Sequence, residues 1–274
     1  MKIIVPALVT DDESVVLLDR TIRAIPSNSN AELFLVTQGM RPTLPDYNHL
    51  RALHWSHFDT PLKKWGAVRE AVASIPIDSE PVMLLDADNS IAADSLQGLC
   101  TYCAREEVAF LVGERDRIAL GAADQLSPNS RLYLEIFTNT LLLIVLDEVR
   151  PEATQYPDVQ SGLYVVRSDL LHSIDFSGVG NYGGELLLYH DLCRTGVQPK
   201  SYPIISVART RSSYSLRTII DDTFNLRFFR GVPSNVVQRA KMIAPTLYSR
   251  YLDAATIDHF TSEIDRMLRL PLTH

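Results

Sequence analysis

The chain is poor in cysteine, has no long apolar run and carries no excess of positive charge. Three cysteines in 274 residues are too few for a disulfide framework. Cys100 and Cys103 stand at C-x-x-C spacing, but no second C-x-x-C or nearby histidine pair completes a tetrahedral zinc shell. The pair is expected to be two thiols on one face of a helix. The longest apolar run, Leu141 to Leu146, falls far short of the roughly 20 residues that a membrane span requires. The opening Met1-Lys-Ile-Ile-Val-Pro-Ala-Leu-Val-Thr10 is too short for a signal-peptide core with its cleavage site, so a cytoplasmic location is expected. Lys plus Arg number 26 against 33 Asp plus Glu, a net charge of −7 with no long block of either sign. That lacks the footprint of a general nucleic-acid binder, and no nucleic-acid partner is expected.

What is present is ordinary globular composition, 46% hydrophobic and 22% charged. The length corresponds to one large domain or two small ones, at about 150 residues each. At this mass roughly three-quarters of the unfolded surface can be buried, enough for a core without disulfides or a structural metal.

Short apolar runs alternate with segments of helical period through the first half, the pattern of an α/β domain with a mostly parallel sheet. Strands are expected at 2–8, 31–37, 51–55, 81–85 and 107–113. Thr10 and Glu13 form a capping-box signature, and Val15, Leu18, Ile22 and Ile25 then recur at helical spacing. Trp65, Val68, Val72 and Ile75 give an amphipathic helix over 62–75, and a third helix is expected at 92–104. The middle, 114–160, is less regular, with an apolar helix near 131–147 and a loop from Pro151 to Pro157. A second group follows, with strand 161–167, helix 183–195 and strand 201–207. Beyond about Tyr214 the chain reads as helical, broken by Pro233 and Pro245.

The chemistry concentrates where strand 81–85 ends. Asp86-Ala87-Asp88 follows the strand directly, and in open α/β sheets ligands bind at the carboxyl ends of strands. Two closely spaced carboxylates suit Mg²⁺ or Mn²⁺, which completes its shell with waters and substrate phosphates. The same pair also suits a helix cap and a turn residue.

The order of pieces resembles the family-2 glycosyltransferases with the GT-A (nucleotide-diphospho-sugar transferase) fold. The resemblance rests on a first strand running to Pro6, on Glu32-Leu-Phe-Leu-Val36, on Lys64-Trp-Gly-Ala-Val-Arg-Glu70 and on Leu84-Leu85-Asp86-Ala87-Asp88. It continues in Asp158-Val-Gln-Ser-Gly162, Glu185-Leu-Leu187, Gly196, Pro203-Ile204 and Arg209, which look like the second half of polyprenyl-phosphate sugar synthases. It implies a catalytic domain over 1–213, with a nucleotide-sugar-binding half (1–105) and an acceptor-side half (106–213), and a helical C-terminal extension over 214–274.

The implied activity is transfer of a sugar from a UDP- or GDP-linked donor, with Mn²⁺ or Mg²⁺ as cofactor. Asp86 and Asp88 would hold the metal, Asp86 also standing near the ribose, and Pro6, Ala7, Gln38, Lys64, Arg209 and Arg211 would line the donor site. Where relatives carry an acidic pair after the second strand, this chain has Thr37-Gln38-Gly39, so a base would be read by an amide that both donates and accepts. Glu185, at a helix start behind Gly183-Gly184, is the expected general base of an inverting transfer, and Asp158 is the alternative. His190 on the same helix is a packing or surface residue or a metal ligand, and Tyr182 could stack on a sugar or base.

The acceptor expected is a small hydrophilic acid, a glycan or a polyprenyl phosphate. The C-terminal helices could lie on a membrane surface, pack on the catalytic domain or join a second copy. Three other readings exist. One is a degenerate relative that binds a nucleotide or sugar without turnover. Another is a sugar nucleotidyltransferase, whose Gly-rich loop Pro6-Ala-Leu-Val-Thr10 does not match. The third is a haloacid-dehalogenase-type phosphatase, whose D-x-D would stand near the chain start and not at residue 86.

Overall fold

The structure, a computed structural model, describes residues 1–115, 158, 161–206 and 262. The helix expected near 131–147, the Pro151–Pro157 loop, Arg209, Arg211 and nearly all of the C-terminal extension lie outside the described residues. Seven strands are described: β1 (Lys2–Val9), β2 (Glu32–Gly39), β3 (Ala52–Phe58), β4 (Pro81–Leu85), β5 (Phe110–Arg115), β6 (Leu163–Arg167) and β7 (Lys200–Ile204). The longer helices are α1 (Asp12–Arg23), α2 (Lys63–Ser74), α3 (Ala93–Arg105) and α5 (Gly184–Arg194), with a short α4 (Ser168–His172) after β6.

Each early strand is a continuous apolar run because both of its faces are covered. Alternate residues of β1, Ile3, Val5, Ala7 and Val9, pack with Leu18 and Ile22 of α1 and with Leu96 and Leu99 of α3. Ile4 is also buried and belongs to the opposite face, where α2 packs on β1 and β2. Phe110 meets Tyr189 of α5 on that face, ring centroids 4.9 Å apart. β1 does not end at Pro6: Pro6 pairs with Val36 and the ladder continues to Val9 and Gly39.

The capping box of α1 sits one residue later than the sequence indicates. Asp11 is the cap, its carboxylate accepting the Ser14 amide at 2.8 Å while Ser14 Oγ accepts the Asp11 amide at 3.1 Å. Thr10 Oγ1 donates to the Asp11 carboxylate, so the charged acceptor takes the cap and the hydroxyl supports it.

The sheet order is β3-β2-β1-β4-β6-β5-β7. β1, β2, β3 and β4 run parallel, and β5 and β7 pair in parallel, but β6 is antiparallel to both β4 and β5. Two geometric facts position the site. The chain steps one way from β1 to β2 and β3 and the other way to β4, so the switch point lies at the carboxyl ends of β1 and β4. Because β6 is reversed, its start rather than its end lies there, with Leu163 opposite Leu85.

Candidate active site

Asp86 follows β4 at the switch point. Its amide donates to Gly162 O at 3.0 Å, which fastens the end of β4 to the start of β6. Gly162 has φ of +70°, and a Cβ there would stand 2.7 Å from Asp86 Oδ2. Only glycine combines that conformation with such an approach. Asp88, half-buried in the following turn, accepts the Ser90 amide at 3.1 Å, and Asn89 between them has φ of +53°.

α2 delivers a cation to this carboxylate. Its cap position, Leu62, offers no side-chain acceptor, and its first turn carries Lys63 and Lys64, opposed to the helix dipole. Distant side chains satisfy the free amides instead: Gln38 Oε1 accepts from Leu62 N at 2.5 Å and Asn181 Oδ1 accepts from Lys64 N at 3.1 Å. Lys63 has φ of +63°, a strained value for a residue with a side chain. Local preference is thus broken at the start of α2, and side chains distant in sequence compensate for it.

The Lys64 ammonium lies 2.9 Å from Asp86 Oδ1 and 3.0 Å from Glu185 Oε1. Glu185 enters from the first turn of α5, a favourable place for a carboxylate, behind Gly183 with φ of +92°. Its other oxygen, Oε2, accepts the indole N–H of Trp65 at 3.2 Å. Trp65 is wholly buried and stacks on Phe176 with centroids 5.1 Å apart. Gly184 is what admits this indole, since a Cβ there would lie 2.0 Å from Trp65 Cδ2.

The electrostatics follow from crowding. Burial would lower the Lys64 pKa, but Asp86 and Glu185 outweigh it and hold the ammonium above its ordinary value. Burial raises the Asp86 carboxyl, Lys64 pulls it back, and repulsion from Asp88 and Glu185 leaves it net above the usual carboxylate value. Three carboxylates thus share one neighbourhood with the ammonium that bridges two of them. The chemistry of such a donor set is attraction for further positive charge.

The other expected site residues take different places. Asp158 is completely buried, with its two oxygens 2.6 and 2.8 Å from Arg115 Nε and Nη2, a bidentate ion pair beside β5. Gln38 is buried with its carbonyl spent on Leu62, and Thr37 Oγ1 accepts the Trp55 indole N–H at 2.8 Å. Pro6 and Ala7 lie within β1, which parts from β4 after Ile4. His190 Nδ1 is 2.8 Å from Asp191 Oδ1 on α5, one residue from its partner. Cys100 and Cys103 are buried neighbours on α3, and Met1, Pro81 and Gln97 join them around a cavity of about 350 Å³ at the opposite, amino-terminal end of the strands. Sequence reasoning missed two participants, Asn181 and the Trp65 indole as a donor to Glu185. The signal for Trp65 was its position next to Lys64; Asn181, 117 residues from its partner, left none.

No group of three or more His, Cys, Asp or Glu among the described residues is arranged to hold a metal by itself. No described helix is long and apolar enough to cross a membrane. No protein-family model and no curated protein sequence matches the chain. Solved structures do. A mannosyltransferase from Pyrobaculum calidifontis, in complex with GDP-Man and Mn²⁺, aligns over 99% of this chain and 81% of its own, at 12% identity and a TM-score of 0.51. Residues 1–349 of TarS from S. aureus, in complex with UDP-GlcNAc, align over 97% and 71% at 12% identity and a TM-score of 0.44. The first likeness shows the fold, a glycosyltransferase-type, Rossmann-like α/β architecture.

Proposed function

We propose that the chain is a metal-dependent glycosyltransferase that moves a sugar from a UDP- or GDP-linked donor to an acceptor hydroxyl. The observation that carries this is the convergence of Asp86 from β4, Lys64 from α2 and Glu185 from α5 within 3.0 Å contacts at the switch point. The mannosyltransferase of the same fold was solved with GDP-Man and Mn²⁺, which supports a nucleotide-sugar donor and a divalent ion here.

The residues fit such an ion. Asp86 already holds a cation, the Lys64 ammonium, in contact with Oδ1, and Asp88 adds negative charge two residues on. With no three-ligand cluster among the described residues, the rest of the shell would come from donor phosphates and water, as Mg²⁺ and Mn²⁺ sites commonly arrange. Bound there, Mn²⁺ or Mg²⁺ would offset the charge that develops on the departing diphosphate.

The protein's own groups divide the remaining work. Lys64, on the positive end of α2, would pair with the diphosphate. Glu185 would accept the acceptor hydroxyl's proton, its carboxylate oriented by the Trp65 indole N–H. Asp158 is a poorer base: both of its oxygens face Arg115 in full burial, whereas Lys64, on turning to the diphosphate, would free Glu185 Oε1. Arg209 and Arg211 remain proposed donor-side cations. A small hydrophilic acid, a glycan and a polyprenyl phosphate stay the acceptor classes to assay.

One observation favours a second reading, a nucleotide-sugar-binding protein without turnover: where the resemblance implies an acidic pair after β2, Thr37 and Gln38 stand with oxygens already engaged within the protein. One experiment separates the two. Calorimetric titration of UDP, GDP, UDP-glucose and GDP-mannose with and without Mn²⁺ is expected to show metal-dependent binding of one nucleotide class, lost in Asp86→Ala and Asp88→Ala. Acceptor-dependent donor cleavage with the sugar recovered on the acceptor, slowed by about 10²–10⁴-fold in Glu185→Gln at unchanged donor affinity, would establish transfer. Binding with no cleavage across an acceptor panel would establish the second reading, and no binding by any nucleotide would refute both.

A further inference from the structure

A metal ligated through Asp86 Oδ1 would have to share that oxygen with the Lys64 ammonium. The Lys64 ammonium stands 2.9 Å from Oδ1, whereas a Mg²⁺-sized ion would sit about 2.0–2.1 Å from it. The two cations would be pressed together in a partly desolvated site, where repulsion is strong. Lys64 is also held from several sides. Its amide donates to Asn181, its ammonium is 3.0 Å from Glu185, and it lies 5.5 Å from the centroid of the buried Trp65 ring. Its side chain is about one-quarter exposed (24%), so it is not sealed within the core.

We infer that Lys64 is a resident counter-cation that keeps free divalent metal off Asp86 until a nucleoside diphosphate draws the ammonium away. The inference rests on the metal-dependent donor site proposed above and adds its regulation. A diphosphate supplies the competing anion for Lys64 and at the same time supplies oxygens for the metal. Metal and nucleotide therefore bind with positive coupling, and because coupling is reciprocal, each raises the other's affinity by the same factor. Metal bound without donor, which would leave a charged and open site, is disfavoured by the chain itself.

The test is direct counting of bound Mn²⁺ by the loss of the free-ion electron paramagnetic resonance signal, on wild type, Lys64→Met, Lys64→Gln and Asp86→Asn, with and without UDP or GDP. Circular dichroism shows which variants are folded, and the two Lys64 substitutions guard against the failure of one. Wild type is expected to bind Mn²⁺ weakly alone and tightly with the nucleotide. Either Lys64 variant is expected to bind Mn²⁺ alone about tenfold more tightly than wild type, as loss of one partly screened charge requires, and to show a smaller coupling factor. Asp86→Asn is expected to lose binding under both conditions. If Mn²⁺ binds wild type with nucleotide but the Lys64 variants match wild type without it, the counter-cation role is overturned while the donor site stands. If no form binds Mn²⁺ even with nucleotide, the donor site fails and the inference with it.

Discussion

Gly184→Ala isolates a single packing relation at the heart of the proposed site. The added methyl would fall 2.0, 2.2 and 2.5 Å from three atoms of the Trp65 indole. Carbon atoms in ordinary contact are about 3.5–4.0 Å apart, so the overlap is close to 1.5 Å. The ring has nowhere to retreat, being wholly buried and stacked against Phe176. Overpacking of a well-filled core costs about 1–3 kcal/mol, and this geometry belongs at the upper end, about 2–3 kcal/mol. At about 2–4 °C per kcal/mol for a chain of this size, the midpoint of thermal unfolding should fall by roughly 4–12 °C. Calorimetry of four proteins reads it out: wild type, Gly184→Ala, Trp65→Leu and the double variant. Trp65→Leu removes the clashing ring, so adding Ala at 184 in that background should cost under about 0.5 kcal/mol, a strongly non-additive cycle. A Gly184→Ala protein that melts with wild type, or additive effects in the cycle, would refute the contact as the reason for glycine at this position.

Three further outcomes are expected. Asp158→Asn leaves the buried Arg115 without its bidentate carboxylate and should cost about 3–5 kcal/mol in urea unfolding, while nucleotide affinity per folded molecule stays that of wild type. Burial holds the Cys100 and Cys103 thiols up at about 11 and about 12 against an ordinary 9.0. At these two thiols the folded chain keeps protons that the unfolded chain releases, so their contribution to stability is flat below about pH 8 and declines as the pH rises through 9 towards 11–12. Denaturant midpoints at pH 8 and 10.5 should show that decline in wild type and less of it in Cys100→Ala/Cys103→Ala. Gly162→Ala forces a Cβ to within 2.7 Å of the Asp86 carboxylate in a left-handed conformation, and should weaken metal-dependent nucleotide binding by tenfold or more at a stability cost of about 1–2 kcal/mol, measured by calorimetric titration and melting.

The parts of this architecture that sequence discloses are those written in local pattern. Continuous apolar runs locate β1, β2 and β4 to within a residue or two, and Asp86 and Asp88 stand out because they follow such a run directly. Strand direction is not a local property, so the reversal of β6 left no trace in Leu163–Arg167, although it is what brings Gly162 to Asp86. β3 extends to Phe58, past the expected 51–55, because pairing with β2 continues to Gln38. At 183–184 sequence shows only a glycine pair before Glu185; the structure gives the missing Cβ of Gly184 a purpose, room for the indole that grips Glu185. Thr37 and Gln38 stand where the resemblance implies a base-reading pair, yet their oxygens serve Trp55 and the start of α2. Side-chain polarity alone does not tell an inward acceptor from one offered to a ligand.

The reversed strand also bears on how the molecule is made. β5 is synthesised before β6, yet among the described strands it pairs with β6 and β7 and never with β4. A chain that stops between β5 and residue 163 lacks β6, the strand that pairs with the outer edge of β4 in the finished fold. That edge belongs to an apolar strand, the kind that recruits foreign strands when left bare. Closure arrives with Leu163–Arg167, and the same event sets Gly162 against Asp86. Pairing the outer edge of β4 and setting Gly162 against Asp86 thus both depend on residues 162–167, and a polypeptide halted short of them lacks both.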